Sequence, residues 1–204
     1  MNTLVLPAAL DGSILQSVEV LQRGGLVAFP TDTVYGLGAL AFSEAAVLGI
    51  FEAKARPREK SVPVLVSSTA EIDLVATGVG EKARRLAQLF WPGPLTLVVP
   101  KSERVPDVVG RLTVGIRAPD HPTAQALLKL AGPLAVTSAN RSGRQSPITA
   151  AEVLLQLDGR VDVVLDGGPA LGGVPSTVVD CTGEELAILR PGPLALQELL
   201  AALA

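Results

Sequence analysis

Four short stretches of the 204-residue chain collect side chains able to hold anions and small polar molecules. "KARPREK" carries Lys54, Arg56, Arg58 and Lys60, one cation at every second residue. In an extended segment, residues two apart share a face, so this spacing predicts four cations side by side. Like charges so placed repel unless an anion lies between them, and a polyphosphate suits because guanidinium forks match phosphate oxygens. The same run also fits a solvated helix C-terminus, where cations are favoured. "LTVGIRAPDHP" ends an alternating apolar run with Arg117, either a surface arginine or a clamp for a small carboxylate. "AVTSANRSG" places Ser138 and Asn140 two apart at a strand end. Both donate and accept hydrogen bonds without charge, which suits an adenine edge, a ribose or an ammonium; Ser, Asn and Gly equally form plain turns. Finally, "FPTDTVYGLG" follows the apolar run "GGLVAF" with Thr31, Asp32 and Thr33, then the sole tyrosine, Tyr35, then Gly36 and Gly38. That is either a turn or a floor for a small polar molecule, with the glycines leaving room for it.

Composition narrows the chemistry. A net charge of −3 means that the whole-molecule field does not recruit nucleic acid, so such a contact needs a local basic patch. One cysteine, Cys181, permits no internal disulfide and no cysteine cage, and it sits at an apolar strand end where burial is expected. With His121 as the sole histidine, no zinc spacing is visible and no metal ligands are assigned. No Gly-Lys pair exists for a Walker loop, and "GLGALA" is a loose dinucleotide pattern with no acidic residue at the ribose distance. Asp120 and His121 lack the G-x-S-x-G elbow of a hydrolase. No apolar run approaches a membrane span and the N-terminus lacks a signal peptide's pattern, so a soluble cytoplasmic protein is expected.

The elements that must position these residues alternate along the chain. Strands are predicted at 3–7, 26–30, 62–67, 95–99, 112–117, 133–140, 161–166, 176–180 and 186–190. Helices are predicted near 10–22, 43–56, 80–91, 122–131, 149–157 and 193–203. The loop "TDTVYGLG" follows the second strand, and mobile segments are expected at 101–110 and 141–148. Interleaved strands and helices imply an α/β fold, and consecutive late strands imply a mixed sheet. One domain spanning 1–204 is expected.

"PTDTVYGLG", "KARP", "VGIRAPDH", "TSANRSG" and "STVVD…ILRPG", in that order, resemble the YrdC-like family, and within it the L-threonylcarbamoyladenylate synthases. The resemblance spans residues 20–193 and rests on five ordered motifs. It implies an open, twisted, mixed α/β sheet with flanking helices and a large concave positive cavity. It also implies a nucleotidyltransferase that condenses L-threonine, bicarbonate and ATP into threonylcarbamoyl-AMP, releasing pyrophosphate, for threonylcarbamoyladenosine modification of tRNA. The family's K-x-R motif falls on Lys54 and Arg56 and its S-x-N motif on Ser138 and Asn140, the implied catalytic set. Threonine contacts are implied at Thr33, Arg117, Ser138 and Ser176. ATP contacts are implied at Arg56, Lys60, Thr113, Asn140, Ser146 and Arg190. Mg²⁺ is expected through ATP phosphates, and downstream threonylcarbamoyl-transfer proteins are expected as partners. A rival reading is an RNA-binding module for tRNA or double-stranded RNA without turnover; few aromatics give it few stacking platforms. Longer members carry a further C-terminal domain that closes over the site, so here another element, or nothing, is expected to act as the lid.

Overall fold

Short apolar runs supply the strands of one mixed sheet in the computed structural model, which describes residues 2–10 and 12–203. The elements in chain order are β1 (Leu4–Pro7), α1 (Ser13–Gln22), β2 (Val27–Phe29), β3 (Gly36–Leu40), α2 (Glu44–Lys54) and β4 (Val64–Leu65). A 3₁₀ turn (Thr69–Glu71) leads to α3 (Ile72–Val75), α4 (Glu81–Phe90), β5 (Leu95–Pro100), β6 (Thr113–Arg117), α5 (Pro122–Ala131) and β7 (Leu134–Ser138). The chain closes with α6 (Ala150–Leu157), β8 (Val163–Asp166), β9 (Thr177–Asp180), β10 (Ala187–Arg190) and α7 (Leu196–Ala201). Strand order is β1-β8-β2-β3-β7-β4-β6-β5-β9-β10. Parallel pairs (β1–β8, β2–β8, β4–β6, β5–β9) mix with antiparallel ones, as the late unbroken run of strands predicted. The α1 start predicted near residue 10 lies one turn later, at Ser13; Asp11 is outside the described residues. Among the described residues no helix is long and apolar enough to cross a membrane.

Period-two alternation sorts the strand residues onto two faces. Ala28, Leu37, Ala39, Ala135, Val164, Leu97 and Ile116 point into the larger core, beneath α2, α4 and α6. Val27, Phe29, Leu134, Val136, Val163 and Leu165 point the other way, into a second core closed by Val18 and Leu21 of α1 and Ala124, Leu127 and Leu128 of α5. Those two helices cover only the half of their face that carries β8, β2, β3 and β7. Past Val136 and Leu65, which belong to both this core and the cavity wall, the sheet face is open. That uncovered half is where the site lies.

Helix ends follow local chemistry. Ser43 Oγ accepts from Ala46 N at 3.3 Å at the start of α2. Thr149 Oγ1 accepts from Glu152 N at 3.2 Å while the Glu152 carboxylate accepts from Ile148 N at 2.8 Å, a reciprocal cap for α6. His121 proves to be the cap of α5: its Nδ1 accepts from Thr123 N at 3.2 Å, with Pro122 in the first turn.

One predicted loop is partly a strand. Gly36–Leu40 forms β3 between β2 and β7, pairing Phe29 with Gly36 and Gly36 with Ser138. Two glycines in five residues hide its strand propensity. Their absent side chains are themselves the packing solution. A Cβ on Gly38 would stand 2.9 Å from Phe29 Cε1, so Gly38 makes room for the Phe29 ring rather than for a ligand. A Cβ on Gly36 would meet Val136 Cγ1 at 2.7 Å, and Gly36 alone of the pair lines the cavity.

Candidate functional site

The open half of the sheet floors a cavity of about 490 Å³, within the size range of small-molecule sites. Alternation selects its lining: Val136 and Ser138 from β7, Thr113, Gly115 and Arg117 from β6, Thr96 and Val98 from β5, and Ser176 and Val178 at β9. Thr31 and Thr33 close it beyond β2, while Arg56, Ser61, Ser146, Leu189 and Arg190 wall its rim.

Arg117, the last residue of β6, is buried at 6% exposure. Its Nε donates to Gly93 O and its Nη1 to Thr33 Oγ1, each at 2.9 Å, and its Nη2 pairs with Asp32 Oδ1. Asp32 Oδ1 also accepts from Asp120 N at 3.1 Å. A guanidinium has five N–H donors; these bonds use three and leave one on each terminal nitrogen. Burial pushes the Arg117 guanidinium down from its ordinary value, the Asp32 carboxylate counters, and the Arg190 charge adds to the lowering. Arg190 itself donates through Nε and Nη2 to Ser176 O and through Nη2 to Ser176 Oγ at 3.1 Å, while Ser176 Oγ lies 2.7 Å from Thr96 Oγ1. Arg56 and Arg190 are both lowered by burial. Three guanidiniums thus line a cavity whose wall, among the described residues, includes no carboxylate. Asp32, just behind the wall, offsets Arg117; Arg56 and Arg190 pair with no carboxylate among the described residues, so an anion in the cavity would offset their charge.

The K-x-R pair splits in two directions. The four-cation stripe expected from "KARPREK" does not form, because α2 runs on through Lys54 instead of giving way to extended chain. Ala55 then adopts a left-handed conformation with φ 50°, and the chain turns again with Lys60 N bonding Pro57 O at 3.2 Å. Arg58 and Lys60 end exposed and off the cavity. Lys54, 1% exposed, turns inward behind the wall, where Nζ donates to Ser138 O and Asn140 O. Its own carbonyl accepts from Ser142 N at 2.9 Å. Burial, with the neighbouring Arg56 charge, pushes the Lys54 amine down to about 7. Lys54 therefore clasps the turn that carries Ser138. Arg56, thrown out by the Ala55 kink, reaches the cavity with Nη2 on Ser61 O at 2.8 Å and a buried Nε without a protein partner.

Asn140 also works from behind. Its Nδ2 donates to Arg141 O and Arg144 O, each at 2.8 Å, and Gln156 ties the same turn through Arg141 N and Gln145 O. Residues 141–148, expected to be mobile, are consequently pinned, and Ser146 is held at the cavity wall. In 101–110, Ser102 N bonds Val75 O and Val109 O accepts from Val62 N. Asn140 Oδ1 stays buried without a partner in the protein. The sole tyrosine joins the pieces: Tyr35 N bonds Pro147 O at 2.9 Å, its carbonyl accepts from Ala139 N, and its hydroxyl donates to Gly168 O at 2.7 Å. Cys181 is partly buried, and its thiol is pushed up to about 12 by burial and the Asp180 charge, which keeps it protonated near neutral pH.

Eight of the implied residues therefore meet in one cavity: Thr33, Arg56, Thr113, Arg117, Ser138, Ser146, Ser176 and Arg190. Lys54 and Asn140 stand behind it, and Lys60 lies outside it. Asp32 as the partner of Arg117, and Thr96 as the partner of Ser176, were missed. The alternation in "LTLVV" marks Thr96 as a polar residue on a strand face, but only the sheet order brings it to Ser176.

Known proteins are similar to this chain in sequence and fold. A family model described as telomere recombination, of the Sua5, YciO and YrdC proteins, matches residues 19–192. A threonylcarbamoyl-AMP synthase of Pyrococcus abyssi is 47% identical over 182 residues, covering 88% of this chain and 54% of that protein. One of Bacillus subtilis is 43% identical over 195 residues, covering 93% and 56%. The chain thus spans about half the length of these two relatives. The crystal structure of P. abyssi Sua5 complexed with L-threonine superposes with a TM-score of 0.94 at 42% identity, over 99% of this chain and 61% of that one. With its motifs in order, its fold reproduced and its open sheet face lined as described, the chain belongs to the Sua5/YciO/YrdC family.

Proposed function

We propose that the chain condenses L-threonine, bicarbonate and ATP into threonylcarbamoyl-AMP and pyrophosphate, the activated donor for threonylcarbamoyladenosine formation in tRNA. The observation that carries this reading is the single cavity in which a buried arginine with two free N–H groups and a threonine hydroxyl face the same space as two further guanidiniums. The relatives' names and the L-threonine held by P. abyssi Sua5 agree with it.

Arg117 takes the threonine carboxylate on its free N–H pair, while Thr33 and Ser138 orient the amine and hydroxyl. The ammonium first gives up a proton; the free amine then attacks the carbon of bicarbonate with loss of water, or the CO₂ that bicarbonate yields with loss of a proton, and the carbamate forms. A carbamate oxygen then bonds to the α-phosphorus as the bond to the β-phosphate oxygen breaks, and pyrophosphate leaves. Arg56 and Arg190 offset the charge on the phosphates, and Thr113 and Ser146 line the same space. Lys54 and Asn140 hold the Ser138–Ser146 turn in place. Positioning and charge neutralisation dominate such transfers, so the absence of an acid–base pair on the wall is no obstacle. Among the described residues no three His, Cys, Asp or Glu side chains gather. Mg²⁺ arriving with ATP would be held through the phosphates, where it would offset their charge, as that ion commonly does. The test is pyrophosphate release from ATP with threonine or bicarbonate left out in turn. Release that needs both is expected, and release indifferent to threonine overturns the reading.

A further inference from the structure

The hydroxyls of Thr31 and Thr33 form a chain whose direction the structure determines. Both residues are buried, at 3% and 2% exposure. Thr31 Oγ1 lies 2.7 Å from Val34 O, a carbonyl that can only accept, so the single Thr31 hydroxyl proton is committed there. Thr31 Oγ1 and Thr33 Oγ1 are 2.9 Å apart, and with the Thr31 proton spent elsewhere the proton between them belongs to Thr33. On its other side Thr33 Oγ1 meets Arg117 Nη1, a donor only, at 2.9 Å. The order is therefore Arg117 to Thr33 to Thr31 to Val34 O. Thr33 has given away its proton and filled one of its two lone pairs. One lone pair remains. Thr31 Oγ1 has two lone pairs for three donors: the Thr33 hydroxyl, at 2.9 Å the nearest, takes one, and Thr33 N at 3.2 Å and Val34 N at 3.3 Å share the other, so Thr31 has nothing left to offer.

We propose that Thr31 is a positioning residue for substrate selection: it fixes the Thr33 hydroxyl as an acceptor, so that Thr33 takes an N–H or O–H of the amino-acid substrate and turns away a carboxylate oxygen. This rests on the reading that the cavity holds L-threonine. Beside it, Arg117 keeps only donors. The pair thus presents donors and an acceptor side by side, the complement of a carboxylate carried next to an ammonium or hydroxyl. A lone threonine in place of this chain would rotate its hydroxyl and donate to a carboxylate equally well, and the ligand could then bind in reversed orientation.

The test compares calorimetric binding of L-threonine, of (R)-3-hydroxybutanoate, which lacks the amine, and of 2-aminobutanoate, which lacks the hydroxyl. In the wild type, one of the two analogues binds far more weakly than threonine. Thr31→Val is expected to weaken threonine by about tenfold and to shrink its advantage over that analogue by a similar factor. Thr31→Ser, which restores the hydroxyl, is expected to recover both. A mere turn staple would lower all three affinities together, so an unchanged ratio in Thr31→Val overturns the inference. A wild type that binds no threonine refutes the reading of the cavity instead. Neutron diffraction on the wild type decides the hydroxyl direction whatever the variants do. Deuterium on Thr33 Oγ1 aimed at Thr31 is expected, and deuterium aimed into the cavity overturns the inference.

Discussion

Replacing Lys54 by methionine removes the amine while keeping most of the side-chain volume. The wild-type amine is 1% exposed and donates to the carbonyls of Ser138 and Asn140. In the unfolded chain it titrates near 10.4, and in the fold it is pushed down to about 7. Between those two values the unfolded chain binds more protons than the folded one, so the lysine's contribution to stability rises with pH through that window. Below pH 7 both states carry the proton and the contribution is flat, at its least favourable. Each pH unit inside the window is worth up to about 1.4 kcal/mol, so going from pH 7 to 9 the wild type should gain about 2 kcal/mol relative to the variant. The Asn140 carbonyl, left without its partner, adds a pH-independent loss of about 1–3 kcal/mol, while Ser138 O keeps Asn140 N at 2.9 Å. Urea denaturation of both proteins at pH 6, 7 and 9 checks this, because other titrating groups cancel in the difference. Lys54→Met should be least damaging at pH 6 and most damaging at pH 9. A gap that stays constant over the three pH values, or narrows as pH rises, would refute the claim that a desolvated lysine clasps the turn.

Other expectations follow from the same geometry. Thr33→Val should raise the threonine KM far more than the ATP KM, because Thr33 pairs with Arg117; steady-state kinetics with each substrate varied would show equal rises if it did not. Arg117→Gln strands the part-buried Asp32 carboxylate and should cost about 3 kcal/mol of stability along with threonine binding, read by denaturation and calorimetry. A Cβ on Gly172 would stand 2.3 Å from Asp32 O, a backbone atom, so Gly172→Ala should displace its loop from Thr33, at about 1–3 kcal/mol in denaturant and with weaker threonine binding. Cys181, its thiol pushed up to about 12, should react with a disulfide reagent at a rate that keeps climbing about tenfold per pH unit past pH 9, where an ordinary free thiol levels off.

The sequence by itself determined the α/β class, the mixed sheet, nearly all the strands and helices, and the stretches that supply the site. Apolar periodicity, caps and turn residues are local, and so are the strand ends that carry Arg117 and Ser138. Tertiary structure alone decided which polar side chains face the cavity and which support it from behind. β3 became legible only once Phe29 and Val136 were seen to fill the space that Gly38 and Gly36 leave. Lys54 and Arg56 look equivalent two residues apart, yet a left-handed Ala55 sends one into the interior and the other to the wall. Asp32 and Arg117, or Thr96 and Ser176, lie far apart in the chain and meet only through strand order. A long-range pairing has no local periodicity to announce it, because its partner is chosen by how the sheet closes.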